Sequence, residues 1–467
     1  MKISPLYTDL YQLTMGQAYF KQNKHETTSC FDYFFRKFPF KGGFVILAGL
    51  EPLFEVLEDF RFSERDFDYL KGQGFDRQYL EYLEGFRFRG SICGMIEGEV
   101  VFPNEPILRV EGTILECQLI ETALLNLVNF QSLIATKAAR VRQSAGQRIL
   151  VDFGLRRAQG TGAMLATRAS IIGGFNCTSN VLAALDFGIT PSGTMAHSFI
   201  ESFDTELEAF RAYAQTFPDK CVLLVDTYNT LSSGIPNAIT VAKELEALGR
   251  KLNAIRLDSG DLAYLSKKAR LILDKNGLDY VKIVVSNQLD EYVIKSLLEQ
   301  GAPIDIFGVG TSMIIGRPDG ALDGVFKLSE SAGIPKLKIS ENVQKITLPG
   351  KKKVLRFVDE DGYFQADCIV LEGQPLPDKM FHPTDKEKYI SLIGLKTTEV
   401  FVRHIKDGKT VSERKTLGDL QTVARERLKS LPLEHQRFDF PHIYKVGISA
   451  ELLDLKAKLV KDRTSTP

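Results

Sequence analysis

The chain has 467 residues, 44% of them hydrophobic, with 59 basic and 59 acidic side chains and therefore no net charge. Without an excess of positive charge it has no long-range field to gather nucleic acid or an anionic membrane surface, so any anion it binds is held by a local constellation. Six cysteines (Cys30, Cys93, Cys117, Cys177, Cys221 and Cys368) stand far apart with no C-x-x-C pair, which argues against a zinc knuckle or a dense disulfide framework and for a reducing, cytoplasmic setting.

The opening "MKISPLYTDLYQLTMGQAYF" lacks the apolar run and small-residue cleavage site of a signal peptide, and no later segment reaches about 18 uninterrupted apolar residues, so no membrane span is expected. From Phe86 to Thr113, short apolar and β-branched pieces broken by glycine and proline predict small antiparallel strands. The stretch "ILECQLIETALLNLVNFQSLIATKAARVRQSAG" carries a helical apolar period closed by Gly146, which predicts a long buried helix or helix pair.

A cadence follows: "RILVDFG", "IIGGFNCTS", "PSGTMAHS", "CVLLVDTY", "LNAIRLDSGD", "VKIVVSNQ" and "IDIFGVGTS". Each is a short apolar run ending in polar residues or glycine, and their starts lie about two to three dozen residues apart, enough for a loop and a helix between strands. The stretches "IPNAITVAKELEALG" and "DEYVIKSLLEQG" between them are amphipathic and end on glycine. The fold class expected is α/β, an irregular TIM-like βα barrel of about seven parallel strands. Beyond Lys327 the chain turns to charged, hairpin-like segments ("KLKISENVQKITLPGKKKVLRFVDEDGYF"). From about Ser412 comes a polar helical tail that either completes an N-terminal layer or stands alone.

In parallel βα barrels the reactive groups follow the C-terminal ends of the strands, because those loops converge. Here these positions carry Asp152, Arg156 and Arg157; Thr178 and Ser179; Thr194 and His197; Asp226; Arg256 with Asp258; Ser286 with Asn287; and Gly310 with Thr311. Three arginines, one histidine, aspartates and glycines, with neither a metal-ligand spacing nor a nucleophile elbow, suit a polyanionic sugar phosphate. Arginine forks bind phosphate or carboxylate, helix N-termini cradle phosphate, and carboxylates accept from vicinal hydroxyls. "VGTS" and "DSGD" are the best phosphate cradles on this reading. Taken singly, the residues keep second readings. Arg156 and Arg157 also suit an ion pair with a loop carboxylate, Arg256 a pair with Asp258, His197 a core position, and Asp226 a helix N-cap. Seven neighbouring strand ends furnished alike favour a site.

These motifs have a familiar order. "TDLYQLTM", "FGLRRAQG", "GTMAHSF", "IRLDSGD", "VVSN" and "GVGTS" resemble, in sequence and spacing, those of the nicotinate phosphoribosyltransferase family, from the N-terminus to about residue 360. The resemblance implies a type II phosphoribosyltransferase barrel over 126–339 and an α/β sandwich domain built from 1–125 and 340–467. It implies a reaction that joins nicotinate to 5-phosphoribosyl 1-diphosphate, giving nicotinate mononucleotide and pyrophosphate in NAD salvage. Magnesium would be required, and ATP would be hydrolysed through a phosphohistidine.

Residue by residue, Tyr11 resembles the aromatic that packs on the pyridine ring from the second subunit of a homodimer with shared sites, and Phe153 would supply the other ring face. Thr194 and Arg256 match nicotinate-binding positions, Thr311, beside Gly310, a phosphoribosyl diphosphate contact, and His197 the phosphorylated histidine. Arg156 resembles a group facing the pyrophosphate, Asp226 and Asp258 groups around the ribose, and Asn287 falls within the matching "VVSN". Ser179 stands where the related nicotinamide phosphoribosyltransferases carry an amide-binding aspartate, which favours the acid as substrate. A type I phosphoribosyltransferase lacks support, since "LLVDTYNT" has no adjacent acidic pair; a Schiff-base aldolase lacks its strand-end lysine. A silent scaffold fits poorly with so many charged groups at one rim.

Overall fold

The computed structural model describes residues 3–339 and 347–464, which divide into two compact units, 134–320 and the combination of 1–133 with 321–467. In the first of these, six of the seven expected runs are strands: β1 (Ile149–Asp152), β2 (Cys177–Thr178), β3 (Val222–Leu224), β4 (Ala254–Leu257), β5 (Lys282–Ser286) and β6 (Ile306–Val309). They form one wholly parallel sheet in the order β2-β1-β6-β5-β4-β3. Leu150, Leu223, Ile255, Ile283 and Phe307 are fully buried in it, as continuous apolar strands covered on both faces must be.

The seventh run, "PSGTMAHS", is not a strand. It makes a single parallel bridge, Thr178 to Pro191, because proline has no N–H to continue a ladder and the chain enters a short helix at His197. Among the described residues no pairing joins the edges β2 and β3, so a six-stranded sheet stands where a ring of about seven was expected.

Helices return the chain from strand to strand, and their ends explain themselves. Asn180, Asp261 and Asp290 each accept a backbone N–H in the first turn of the helices Val181–Phe187, Leu262–Lys275 and Glu291–Glu299. Within this unit Glu291 is fully buried, with one oxygen 2.5 Å from Lys137 Nζ and the other 2.9 Å from Arg140 Nε.

Among the described residues the second unit holds three antiparallel or mixed sheets, and both ends of the chain contribute to it. Thr28–Phe35 pairs with Gly324–Ser331 on one side and with Leu108–Thr113 on the other, and Ser91–Gly94 pairs with Val402–Lys406. The strand Gly324–Ser331, inside the expected barrel range 126–339, is thus hydrogen-bonded into this unit. The expected helix pair is present as Ile114–Leu119 and Glu121–Ala145. The hairpin of Lys352–Val358 and Phe364–Leu371 is also present, while 340–346 of the same expected segment lie outside the described residues. The tail is not purely helical: between Leu417–Ser430 and Ala450–Thr464 runs the strand Val446–Ile448, parallel to Phe364–Leu371. It lies between Phe364–Leu371 and Lys379–His382 in a sheet of C-terminal strands, so by its strand pairing the tail neither joins an N-terminal sheet nor stands alone. No described helix is long and apolar enough to cross a membrane.

Candidate active site

The ends of β3, β4 and β5, together with the stretch 194–197, carry a connected set of polar side chains. At its centre is Arg256 on β4, whose side chain is 15% exposed. Its Nε donates to Ser286 Oγ (2.9 Å), Nη1 to Thr194 Oγ1 (3.2 Å) and the Met195 carbonyl (3.5 Å), and Nη2 to Asp258 Oδ1 (2.8 Å). The guanidinium also lies 5.2 Å from the centre of the Phe153 ring, within cation–π range. The two readings of "RLD" therefore coexist: Arg256 pairs with Asp258 and still sits among groups from three strand ends and from the non-strand stretch 194–195.

Asp258 links Arg256 to His197. Its Oδ1 also accepts from Ser286 Oγ, and its Oδ2 lies 3.9 Å from His197 Nε2. The other ring nitrogen of His197, Nδ1, is 3.0 Å from Thr227 Oγ1. With 39% of its side chain exposed, His197 stands at the rim and not in the core.

Asp226 is buried and caps no helix. Its Oδ2 accepts from the Asp258 N–H (2.7 Å) and from Ser259 Oγ (2.7 Å), tying the end of β3 to the loop after β4. Its Oδ1 is buried with no hydrogen-bond partner among the described residues. A buried carboxylate oxygen left without a donor is costly.

Phe153 crosses Gly308 on the neighbouring strand. A Cβ at Gly308 would lie 2.4 Å from Phe153 Cδ2, so glycine is what lets the ring lie there. Gly308→Ala is expected to displace the ring and destabilise the protein by about 1–3 kcal/mol, seen as a lower urea midpoint; an unchanged midpoint would show that the ring has another place to go.

The short turn Leu155–Arg157 presents Arg156 and Arg157 to solvent, and neither side chain has an ion-pair or hydrogen-bond partner among the described residues. The alternative of a structural ion pair is thereby set aside. Asp152, by contrast, is structural. It is fully buried and accepts from the Gly154 N–H, Thr167 Oγ1 and Thr178 Oγ1. Burial pushes its carboxyl above the usual range, and those three donors pull the other way.

Ser179 is half-buried, its N–H donating to the Asp152 carbonyl. Thr311 is exposed, and the helix it begins, Thr311–Ile314, is a single turn after Gly310. In "DSGD", Asp261 is consumed as a helix cap and Asp258 by Arg256, which leaves that stretch a poor phosphate cradle. Asn287 is exposed with φ +87°, and its neighbour Ser286 enters the network instead. Tyr11 belongs to the other unit, on the helix Leu10–Lys21, with 49% of its surface exposed.

Sequence reasoning missed Thr227 and Ser259. Each directly follows a singled-out aspartate, so a hydroxyl beside a strand-end carboxylate was the signal available.

Comparison with known proteins places this geometry in context. Residues 6–129 match the nicotinate phosphoribosyltransferase N-terminal domain, 149–360 the nicotinate phosphoribosyltransferase family and 351–456 its C-terminal domain. The nicotinate phosphoribosyltransferase of Bacillus subtilis is 43% identical over 472 residues, covering 98% of this chain and 95% of that one. That of Caenorhabditis elegans is 38% identical, covering 96% and 92%. The crystal structure of human nicotinic acid phosphoribosyltransferase superposes with a TM-score of 0.88 at 30% identity, covering 97% and 99%.

Proposed function

Given that this chain belongs to the nicotinate phosphoribosyltransferase family, we propose that it joins nicotinate to 5-phosphoribosyl 1-diphosphate, releasing pyrophosphate and forming nicotinate mononucleotide, in NAD salvage. The observation that carries the reading is Arg156: an exposed arginine with no partner among the described residues, at the same rim as the half-buried Arg256. The pyridine nitrogen of nicotinate has a free lone pair at neutral pH and attacks the anomeric carbon without a general base. The sugar becomes cationic while negative charge grows on the leaving diphosphate, so the reaction needs fixed charges and donors more than a proton relay.

On this reading Arg156, with Arg157 beside it, faces the diphosphate. Gly310 and Thr311 contact the phosphoribosyl group with Asn287 nearby, and Asp226 and Asp258 flank the ribose. Phe153 lies against the pyridine ring, and Thr194 and Arg256 take its carboxylate. Among the described residues no group of three His, Cys, Asp or Glu side chains could hold a metal by itself. A magnesium ion, however, is commonly held by one or two carboxylates and otherwise by substrate phosphates and water. The unpartnered Oδ1 of Asp226 fits that role, and the ion would neutralise charge on the departing diphosphate. His197 would accept the γ-phosphoryl group of ATP: an imidazole lone pair forms the N–P bond as the bond to the ADP oxygen breaks. The parallel sheet, extended by the bridge at Pro191, supports an irregular barrel. The six unpaired cysteines support a cytoplasmic setting.

Supplying the protein with nicotinate and phosphoribosyl diphosphate is expected to yield pyrophosphate and nicotinate mononucleotide, with nicotinamide turned over at least about tenfold less efficiently, since Ser179 offers no amide-binding carboxylate. Equal turnover of the amide would overturn the choice of substrate. A homodimer with shared sites is supported by the exposed Tyr11. Mixing inactive Tyr11→Ala with inactive Arg256→Ala protein is expected to restore activity in hybrid dimers, and a monomer in sedimentation at assay concentration would rule this out.

A further inference from the structure

Tyr11 is the residue of "TDLYQLTM" that the proposed reaction uses, yet its neighbour Gln12, a polar side chain, is fully buried. The helix Leu10–Lys21 that carries both buries Gln12, Leu13 and Gly16. At Gly16 the backbone approaches so closely that a Cβ would run into Tyr79 Oη and Leu115 Cδ1. One leucine is a small apolar anchor, and apolar contact is non-directional. The rotation of this helix about its axis is therefore set by its polar contacts.

Gln12 closes a ring with two residues at the junction of the helices Ile114–Leu119 and Glu121–Ala145. Its Nε2 donates to Glu121 Oε2 at 3.0 Å, Gln118 Nε2 donates to the same oxygen at 3.0 Å, and Gln118 Nε2 also donates to Gln12 Oε1. All three side chains are buried. An amide or carboxylate left unpaired there is costly, so the ring holds one arrangement. Just ahead of the helix the hydroxyls of Thr8 and Thr122 lie 3.0 Å apart, while Asp9 at the N-cap makes no side-chain cap bond.

Successive residues of an α-helix stand about 100° apart around its axis, so a helix locked at Gln12 presents the exposed Tyr11 ring in one direction. Burial first, and then the charge of Glu121, push the Tyr11 phenol above its ordinary range. The Glu121 carboxylate thus stands within electrostatic range of the ring.

We infer that Gln12, Gln118 and Glu121 are positioning residues that aim Tyr11 at the pyridine ring bound by the second subunit. The inference rests on the proposed shared site. A stacking ring contributes only at the right tilt and offset, and a small misplacement of a binding group costs up to about a hundredfold. Directional bonds one residue away supply that precision. Because Tyr11 meets only the pyridine ring on this reading, the cost of breaking the clamp falls on nicotinate and not on phosphoribosyl diphosphate.

Glu121→Ala is expected to raise the nicotinate KM about tenfold and to leave the phosphoribosyl diphosphate KM within about twofold of wild type. Glu121→Gln, which keeps an oxygen acceptor for both amides, should stay within about threefold of wild type for nicotinate. The decisive test uses dimers of two differently tagged full-length chains, purified through both tags and assayed at low nicotinate. Glu121→Ala paired with Arg256→Ala is expected to recover about half of wild-type activity, since one of the two sites then has an intact Arg256 and a correctly aimed Tyr11. Glu121→Ala paired with Tyr11→Ala should recover nothing, because both sites receive a missing or misdirected ring.

A residue serving its own subunit's site gives the opposite pattern, and general damage to the fold gives recovery in neither pair; either result overturns the inference, as does an unchanged nicotinate KM. Gln12→Met, of similar length but without the amide, takes the place of Glu121→Ala in both pairs if that chain misfolds. Tyr11→Ala paired with Arg256→Ala is the control. Failure of that pair to recover, or of any doubly tagged dimer to form, removes the shared site and the inference with it, whereas recovery in the control assigns any failure to the clamp alone.

Discussion

His197→Ala is expected to reduce uptake of acid-labile, base-stable phosphate from γ-labelled ATP to background, and with it the ATP hydrolysis coupled to nucleotide synthesis. The fold should survive, because the ring sits at the rim with 39% of its side chain exposed and one hydrogen bond, to Thr227. Slow transfer without ATP should survive too, since attack by the pyridine nitrogen needs no histidine base. The variant thus divides two activities that fail together in an unfolded protein. If it labels as wild type does, or still couples ATP to synthesis, His197 has no part in phosphoryl transfer.

Arg256→Ala is expected to lower kcat/KM for nicotinate by about a hundredfold, ~2.7 kcal/mol of transition-state stabilisation. Two losses combine. The carboxylate of the substrate loses its charged donor, and Asp258 loses the cation 2.8 Å from its Oδ1, so a partly buried carboxylate is left beside an anionic substrate. Arg256→Lys should recover little, because an ammonium cannot reach Ser286, Thr194 and Asp258 together as the planar fork does. A urea midpoint near wild type would assign the loss to the site, and kcat/KM within threefold of wild type would remove Arg256 from nicotinate recognition.

Much of this was legible from residue order alone, for a local reason. Strands and helices are set by apolar spacing and by caps within a few residues, so "CVLLVDTY", "LNAIRLDSGD" and "VKIVVSNQ" declare themselves, as do the helices that Asp261 and Asp290 cap. The same locality explains the error at "PSGTMAHS", where an apolar-to-polar cadence masked a proline that cannot extend a ladder. It also explains the strand Val446–Ile448, too short to stand out between two polar helices.

What residue order determined by itself is the inventory: a parallel βα unit whose strand ends carry arginines, aspartates and one histidine, in a chain without net charge. Which of those side chains work together was decided only by tertiary structure. His197 and Thr227 are 30 residues apart, Arg256 and Ser286 also 30, and Arg256 and Thr194 62. No periodicity of 2 or 3.6 reaches that far, so nothing local could reveal that Ser286 rather than Asn287 turns inward, or that Asp226 ties down the loop of Asp258 and keeps one oxygen in reserve. Adjacent parallel strands bring such residues level because their ladders run in register, Val284 beside Arg256 and Leu224 on its other side. That register is a property of the assembled sheet.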